Sequence, residues 1–127
     1  MKFTIYGTPT AKGRPKAARR GRFVSMYTPE ETKLAEESFI AQAIKHRPDT
    51  PLEGPLRVLI RFYKTKPKSY PKKKKDWIQK PDIDNLIKLV LDSMNRIFFK
   101  DDSQVVSIFS SKEFSDTPRT EVEIQKV

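Results

Sequence analysis

Lys80-Pro81-Asp82-Ile83-Asp84-Asn85-Leu86-Ile87-Lys88 is the stretch on which the rest of the chain is organised. From it, Leu86, Leu89, Val90, Ser93, Met94 and Ile97 recur at i, i+3, i+4 spacing. That period predicts an amphipathic helix with one buried stripe. Pro81 and the aspartates mark its start, because free backbone N–H groups in a first turn favour negative charge. Asn85, Lys88, Asp92 and Asn95 take the polar side, with Asp92 an i, i+4 partner for Lys88 or Arg96. Phe98-Phe99 then anchors the chain in the core. Lys100-Asp101-Asp102-Ser103-Gln104 forms a polar turn before the next apolar run.

Two readings of these aspartates compete. Helix starts and turns are the ordinary places for Asp. Capping accounts for one Asp at each site, not for Asp82 and Asp84 together with Asn85 and Lys88 beside them. The alternative is a metal site, since grouped carboxylates are how proteins hold Mg²⁺, and like charges packed together call for a cation. Spacing alone leaves both open. Pro-Asp followed by lysine also suggests a nuclease motif with its acids and lysine on neighbouring strands. Here those residues open a helix, so that match is accidental.

Outward from this centre, Lys2–Tyr6 alternates as a strand. Residues 12–22 carry Lys12, Arg14, Lys16, Arg19, Arg20 and Arg22 among Gly13, Pro15 and Gly21, which predicts a loop, with a short strand over Arg22–Tyr27. Thr28-Pro29-Glu30-Glu31 has the pattern of a capping box opening a helix to about His46. Ala35, Phe39 and Ala43 make its apolar face, widened by Leu34, Ile40 and Ile44. The single histidine, His46, falls where a side chain serves the helix C-terminal carbonyls. Leu56, Val58, Ile60 and Phe62 alternate with Arg57, Leu59, Arg61 and Tyr63 in the plainest strand of the sequence. Residues 64–75 form a second basic loop, broken by Pro67 and Pro71. Val105–Phe109 and a last strand with Thr120, Val122 and Ile124 on one side read as an antiparallel hairpin about Ser115–Pro118. The sum is a single α+β domain over residues 1–127, with a mixed β-sheet and two helices packed mainly on one face.

The chain has 127 residues and a net charge of +10, with no cysteine. The charge predicts a polyanionic partner. The absent thiols exclude disulfides and thiolate metal sites, and fit a cytoplasmic location. No stretch has the length and apolarity to span a membrane. Residues 12–22 and 64–75 together hold thirteen of the 26 Lys and Arg. Crowded like charges repel, and phosphates relieve that repulsion through counterion release. Neither run has the bulky apolar face of a membrane-surface helix. Lys12, Arg14, Lys16, Arg19, Arg20, Arg22, Lys72, Lys73, Lys74 and Lys75 are therefore the expected phosphate contacts, which the family resemblance given below makes DNA contacts. Phe23, Tyr27, Tyr70 and Trp77 border these loops. Most of them are read as lids on the core rather than as base-stacking surfaces.

The run KPDIDNLIKLVLDSMNRIFFKDDSQVV resembles the signature of the RusA family of Holliday junction resolvases: Asp-x-Asp-Asn-Leu-x-Lys at a helix start, then Asp-Asp-x-Gln-Val-Val. Thr10-Ala11-Lys12-Gly13-Arg14-Pro15-Lys16 and Tyr27-Thr28-Pro29 are similar to the family less specifically. The close match covers about a quarter of the chain, and the element order fits nearly all of it. The resemblance implies a RusA-like fold and a homodimeric endonuclease that nicks four-way junctions in branched DNA, common in phages and prophages. It also implies dependence on Mg²⁺, with Mn²⁺ able to substitute. Asp82, Asp84 and Asp102 match the family's catalytic, metal-binding aspartates, and Lys88 its functional lysine. Asn85 and Asp101 are auxiliary positions. The lysine-rich 64–75 segment departs from the family pattern, so no DNA-sequence preference carries over. A nuclease of broader taste for branched DNA and a non-catalytic nucleic-acid-binding module are the competing expectations. The intact acids and lysine speak against the latter.

Overall fold

A computed structural model describes residues 1–13, 16–20, 23–27 and 30–127, the two middle spans by their backbone alone. The strands are β1 (Lys2–Tyr6), β2 (Lys16–Arg20), β3 (Phe23–Tyr27), β4 (Leu56–Lys64), β5 (Val105–Phe114) and β6 (Arg119–Lys126). The helices are α1 (Glu30–Ala43) and α2 (Ile83–Met94). A 3₁₀ turn at Ile44–His46 extends α1, and another at Asp102–Gln104 leads into β5.

The alternation in β4 decides the architecture. Leu56, Val58, Ile60 and Phe62 are almost completely buried, while Arg57 and Arg61 stay exposed. A strand buried so fully on one face belongs in a sheet's interior, with both edges paired. The main sheet accordingly runs β1-β6-β4-β5, with β6 antiparallel to β4 and β5 parallel to it. β4, α2 and β5 form a crossover unit, the usual means of joining parallel neighbours. The stripe Leu86, Leu89, Val90, Ser93 and Met94 is buried as its period requires, and Ile97 packs on the core's border. Phe98 and Phe99 are buried as anchors. Phe39 and Ala43 bring α1 into the same core, whereas Leu34 and Ile44 point outward.

Two expectations are corrected. β5 and β6 are not a hairpin: β4 lies between them. The short 115–118 connection passes the end of β4, where the Ser115 N–H donates to the Lys64 carbonyl at 2.9 Å. Local alternation reports a strand's buried face but not its neighbour, and here the burial demand of β4 decides the pairing. The first basic segment is also not loop throughout. β2 pairs with β3 from Lys16↔Tyr27 to Arg20↔Phe23, and this antiparallel ladder satisfies backbone groups that a loop leaves to water. The expected capping box at Thr28-Pro29 lies outside the described residues. His46 stacks on Phe3, ring centroids 5.5 Å apart.

The sheet face opposite the helices carries Arg57, Arg61, Glu121 and Glu123 beside Leu59, and the Arg119 guanidinium lies 4.0 Å from the centre of the Tyr63 ring. Phe109, in register with Leu59, adds an exposed ring to this face, and Val106 and Ile108 are also exposed on the same edge strand β5.

Leu86 joins α2 to this core with none of its surface exposed. Leu86→Ala is expected to cost about 2–5 kcal/mol, read by urea unfolding. A loss below about 1 kcal/mol contradicts the packing described.

Candidate active site

α2 begins with Asp82 at its N-cap in an extended conformation, yet the Asp82 carboxylate accepts no capping hydrogen bond. It lies instead 3.3 Å from the Lys80 ammonium, with 52% of its side chain exposed. Asp84 follows in the first turn, also exposed. One turn on, Lys88 projects into solvent, and its Nζ lies 3.9 Å from Asp92. Such a surface pair is worth about 0–1 kcal/mol and holds the lysine only loosely. Asn85 contributes its backbone carbonyl, which accepts from the Lys12 N–H at 2.9 Å. Asp82, Asp84 and Lys88 thus share the N-terminal part of α2, reachable from solvent.

Asp101 and Asp102 are at the other end of the helix. The Lys112 ammonium reaches the carbonyls of Gln79 and Pro81 and so marks the Asp82 end of β5. Asp102 precedes Val105, the opposite end of that strand. Seven residues of strand separate Val105 from Lys112, about 23 Å at the usual rise. The twelve residues of α2 span about 18 Å. Among the described residues no three Asp, Glu or His side chains come together as a metal-holding group. The expected grouping of Asp82, Asp84 and Asp102 is therefore not formed within one chain. A helix linking two acidic motifs also keeps them apart.

The two aspartates of the turn divide their roles. Asp101 is a cap: its carboxylate accepts from the Ser103 N–H at 3.1 Å, and its own N–H donates to Gln104 Oε1 at 2.9 Å. Hydrogen bonds from Ser103 hold the Asp101 carboxyl below the usual range. Gln104 further donates to the Leu52 and Gly54 carbonyls, fixing the turn to the chain that enters β4. Among the described residues neither Asp102 nor Asp84 has a side-chain hydrogen bond or ion pair, so both carboxylates are open to a ligand.

The basic residues divide as well. Lys72, Lys73, Lys74 and Lys75 are exposed in a segment without regular structure. Lys66 folds back, donating to the Lys72 carbonyl and lying 5.6 Å from the Tyr70 ring centre. Lys64 and Lys112 sit 4.8 and 5.0 Å from the centre of the Trp77 ring. Tyr70 and Trp77 are buried, the lids the sequence suggested. Lys12 turns inward: its Nζ lies 2.6 Å from Glu36 and 3.1 Å from Asp92. Burial pulls the Lys12 pKa down, but the hydrogen bonds to Glu36 and Asp92 outweigh it, and the net shift is upward. It roots the basic arm between α1 and α2. Lys16, Arg19 and Arg20 are carried on β2, while Arg14 and Arg22 lie outside the described residues. Lys12, expected among the phosphate contacts, is instead engaged by Glu36 and Asp92, and the inward Lys112 escaped the sequence reading. The one available signal was that Lys112 shares a strand face with Ile108 and Ser110.

The endodeoxyribonuclease RusA family model matches residues 6–125. The chain is similar to the uncharacterized protein YqaN of Bacillus subtilis (strain 168), 40% identical over 137 residues, spanning 100% of this chain and 96% of that protein. It is also similar to the crossover junction endodeoxyribonuclease rusA of Lactococcus phage r1t, 34% identical over 97 residues, spanning 71% of this chain and 70% of the relative.

Lys12→Met should lower stability by about 1–3 kcal/mol near neutral pH, because Glu36 and Asp92 lose a shared cation. The wild-type Lys12 pKa is raised on folding, so its contribution is complete below the unfolded value of 10.5 and fades as pH rises through the folded value. Urea unfolding of both proteins from neutral to strongly alkaline pH should show their difference narrowing only above 10.5. A difference independent of pH contradicts this.

Proposed function

The chain belongs to the RusA family of endodeoxyribonucleases, and from that premise we propose that it resolves four-way DNA junctions by paired, metal-dependent nicks. The observation that carries the chemistry is the start of α2. Asp82 stands at an N-cap without capping, Asp84 follows unpaired among the described residues, and Lys88 lies one turn further on. Hard carboxylate oxygens open to solvent are the donor set that Mg²⁺ takes, and Mn²⁺ can share. Asp82, Asp84 and Asp102 would hold the ion, which supplies Lewis-acid charge against an anionic phosphodiester. The Lys88 ammonium adds positive charge for the oxygens that become more negative in the transition state. Lys72–Lys75 hold flanking phosphates, and their loop runs directly into Asp82.

The distance to Asp102 calls for a second copy of the chain. Among the described residues β5 is an unpaired edge of the main sheet, ten residues long with Val106, Ile108 and Phe109 exposed, a strand that invites pairing. Antiparallel pairing with its own copy about a twofold axis at Phe109 sets residue 105 of one chain opposite residue 113 of the other. The partner's Asp102 turn then approaches the Asp82 end of the first chain. The homodimer gains two sites, each completed across the interface. Two related sites also suit a junction of approximate twofold symmetry.

A labelled four-way junction and a matched linear duplex, incubated with Mg²⁺, test the activity. Paired nicks in the junction alone are expected. Nicking of any branched substrate equally well favours a broader nuclease. Asp82→Asn, Asp84→Asn and Asp102→Asn should each abolish cleavage and retain junction binding. Mixing the Asp82→Asn/Asp84→Asn chain with the Asp102→Asn chain should restore nicking, since one of the two sites in the mixed dimer keeps all three acids. No recovery in a verified mixed dimer overturns the shared site.

Replacing Lys72, Lys73, Lys74 and Lys75 together by Gln should weaken DNA binding and flatten its salt dependence. The log–log slope should fall by about 0.9 for each duplex phosphate that the loop no longer neutralises. An unchanged slope places this loop away from DNA.

A further inference from the structure

Lys112 stands out among the cations of the chain. It lies on the helix-covered face of β5, in register with Phe62 of β4, among positions that are otherwise apolar or small. Its Nζ donates to the Gln79 carbonyl at 2.8 Å and the Pro81 carbonyl at 3.1 Å, and the Trp77 ring centre lies 5.0 Å away. An ammonium has three protons, and these contacts take up its directions. Burial lowers the Lys112 pKa, with the Asp82 charge opposing that shift. A lysine engaged in this way has little left to offer a phosphate, unlike Lys72–Lys75.

The two carbonyls it holds flank Lys80 and immediately precede Asp82. The chain between β4 and α2, residues 65–82, has no helix or strand of its own. Its other hydrogen bonds among the described residues are local, such as Tyr70 Oη to the Asp76 carbonyl at 2.8 Å and the Lys74 N–H to the Pro71 carbonyl at 3.0 Å. Lys112 instead joins the last residues of this segment to the main sheet. Trp77, buried five residues before Asp82, has the Lys64 and Lys112 ammonium groups 4.8 and 5.0 Å from its ring centre and stacks with Phe114, centroids 6.3 Å apart.

We propose that Lys112 is a positioning residue for the proposed nuclease reaction: by gripping the carbonyls of residues 79 and 81 it fixes the Asp82 carboxylate for metal binding. It also ties the lysine-rich segment to that carboxylate, so that the segment proposed to grip phosphate and the group proposed to hold the ion are set by one ammonium. The proposal rests on the nuclease reading for its consequence in catalysis, but its structural part stands apart from it.

The experiment compares wild type with Lys112→Met, Lys112→Arg and Lys64→Met. Amide hydrogen exchange over residues 79–86 is measured on the metal-free protein, and cleavage of a four-way junction is measured across Mg²⁺ concentrations. Lys112→Met should speed exchange over 79–86 more than in the rest of the sheet. It should raise the Mg²⁺ concentration for half-maximal cleavage by about 10–100-fold, the range found when groups supporting metal ligands are lost, and leave junction affinity near wild type. High Mg²⁺ should restore most of the rate. Lys112→Arg should fall between Lys112→Met and wild type on both measures. Lys64→Met removes a cation from Trp77 without touching the carbonyls and should leave the Mg²⁺ dependence unchanged. If Lys112→Met does not fold, Lys112→Arg carries the test, and wild-type exchange and Mg²⁺ dependence in it overturn the proposal. So does a Lys112→Met protein that is merely less stable, with both measures unmoved. Wild type that cuts nothing while exchange responds as stated overturns the nuclease reading and leaves the clamp.

Discussion

The burial of β4 beneath α2 is the constraint on which the remaining structure hangs. Leu56, Val58, Ile60 and Phe62 share one core with Leu86, Val90 and Met94. That packing sets β4 inside the sheet, fixes α2 across it and determines where each end of α2 emerges. One end carries Asp82 and Asp84, and the other leads through Phe98-Phe99 to Asp101 and Asp102. The acids are therefore held by a helix packed into the core, at a separation that a helix of this length cannot shorten. A metal site built from both ends has to be completed by intermolecular contact rather than by folding.

Residues of one chemical type take separate tasks according to what surrounds them. Asp101 and Asp102 are neighbours, yet hydrogen bonds with Ser103 and Gln104 commit the first to capping. Asp82 occupies a cap position and does not cap. Lys12 holds two elements together through Glu36 and Asp92, Lys66 folds over Tyr70, and Lys72–Lys75 stay in solvent. Isolated charges on a surface contribute little to stability. The exposed lysines are accordingly open to a role in binding, while the inward ones have structural work.

Much of the fold was legible from period alone. The buried stripe of α2, the alternation of β4 and the anchoring Phe98-Phe99 follow from where apolar side chains must go. Strand order was not legible, because alternation is a property of one strand and pairing is a property of two. The β2–β3 ribbon was hidden by its charge, since Lys16, Arg19 and Arg20 read as loop. At the site, residue spacing singled out Asp82, Asp84 and Lys88 in the N-terminal part of one helix. It gave no measure of the span between Asp84 and Asp102, which is a matter of three-dimensional path. Lys112 was invisible for a related reason: its partners are backbone carbonyls about thirty residues away, and every residue has a carbonyl.

The exposed lysine loop has a consequence for how such a protein spends its time on a chromosome. With a net charge of +10, attraction to phosphate acts on any duplex, and ordinary duplex vastly outnumbers branch points. Most encounters therefore occur at unbranched DNA, followed by sliding or hopping. Non-specific capture by charge does not distinguish branched from unbranched DNA. On the proposed reading, selection comes when only the right geometry brings a scissile phosphate to Asp82 and Asp84, and the search is harmless because the wrong DNA is held without being aligned.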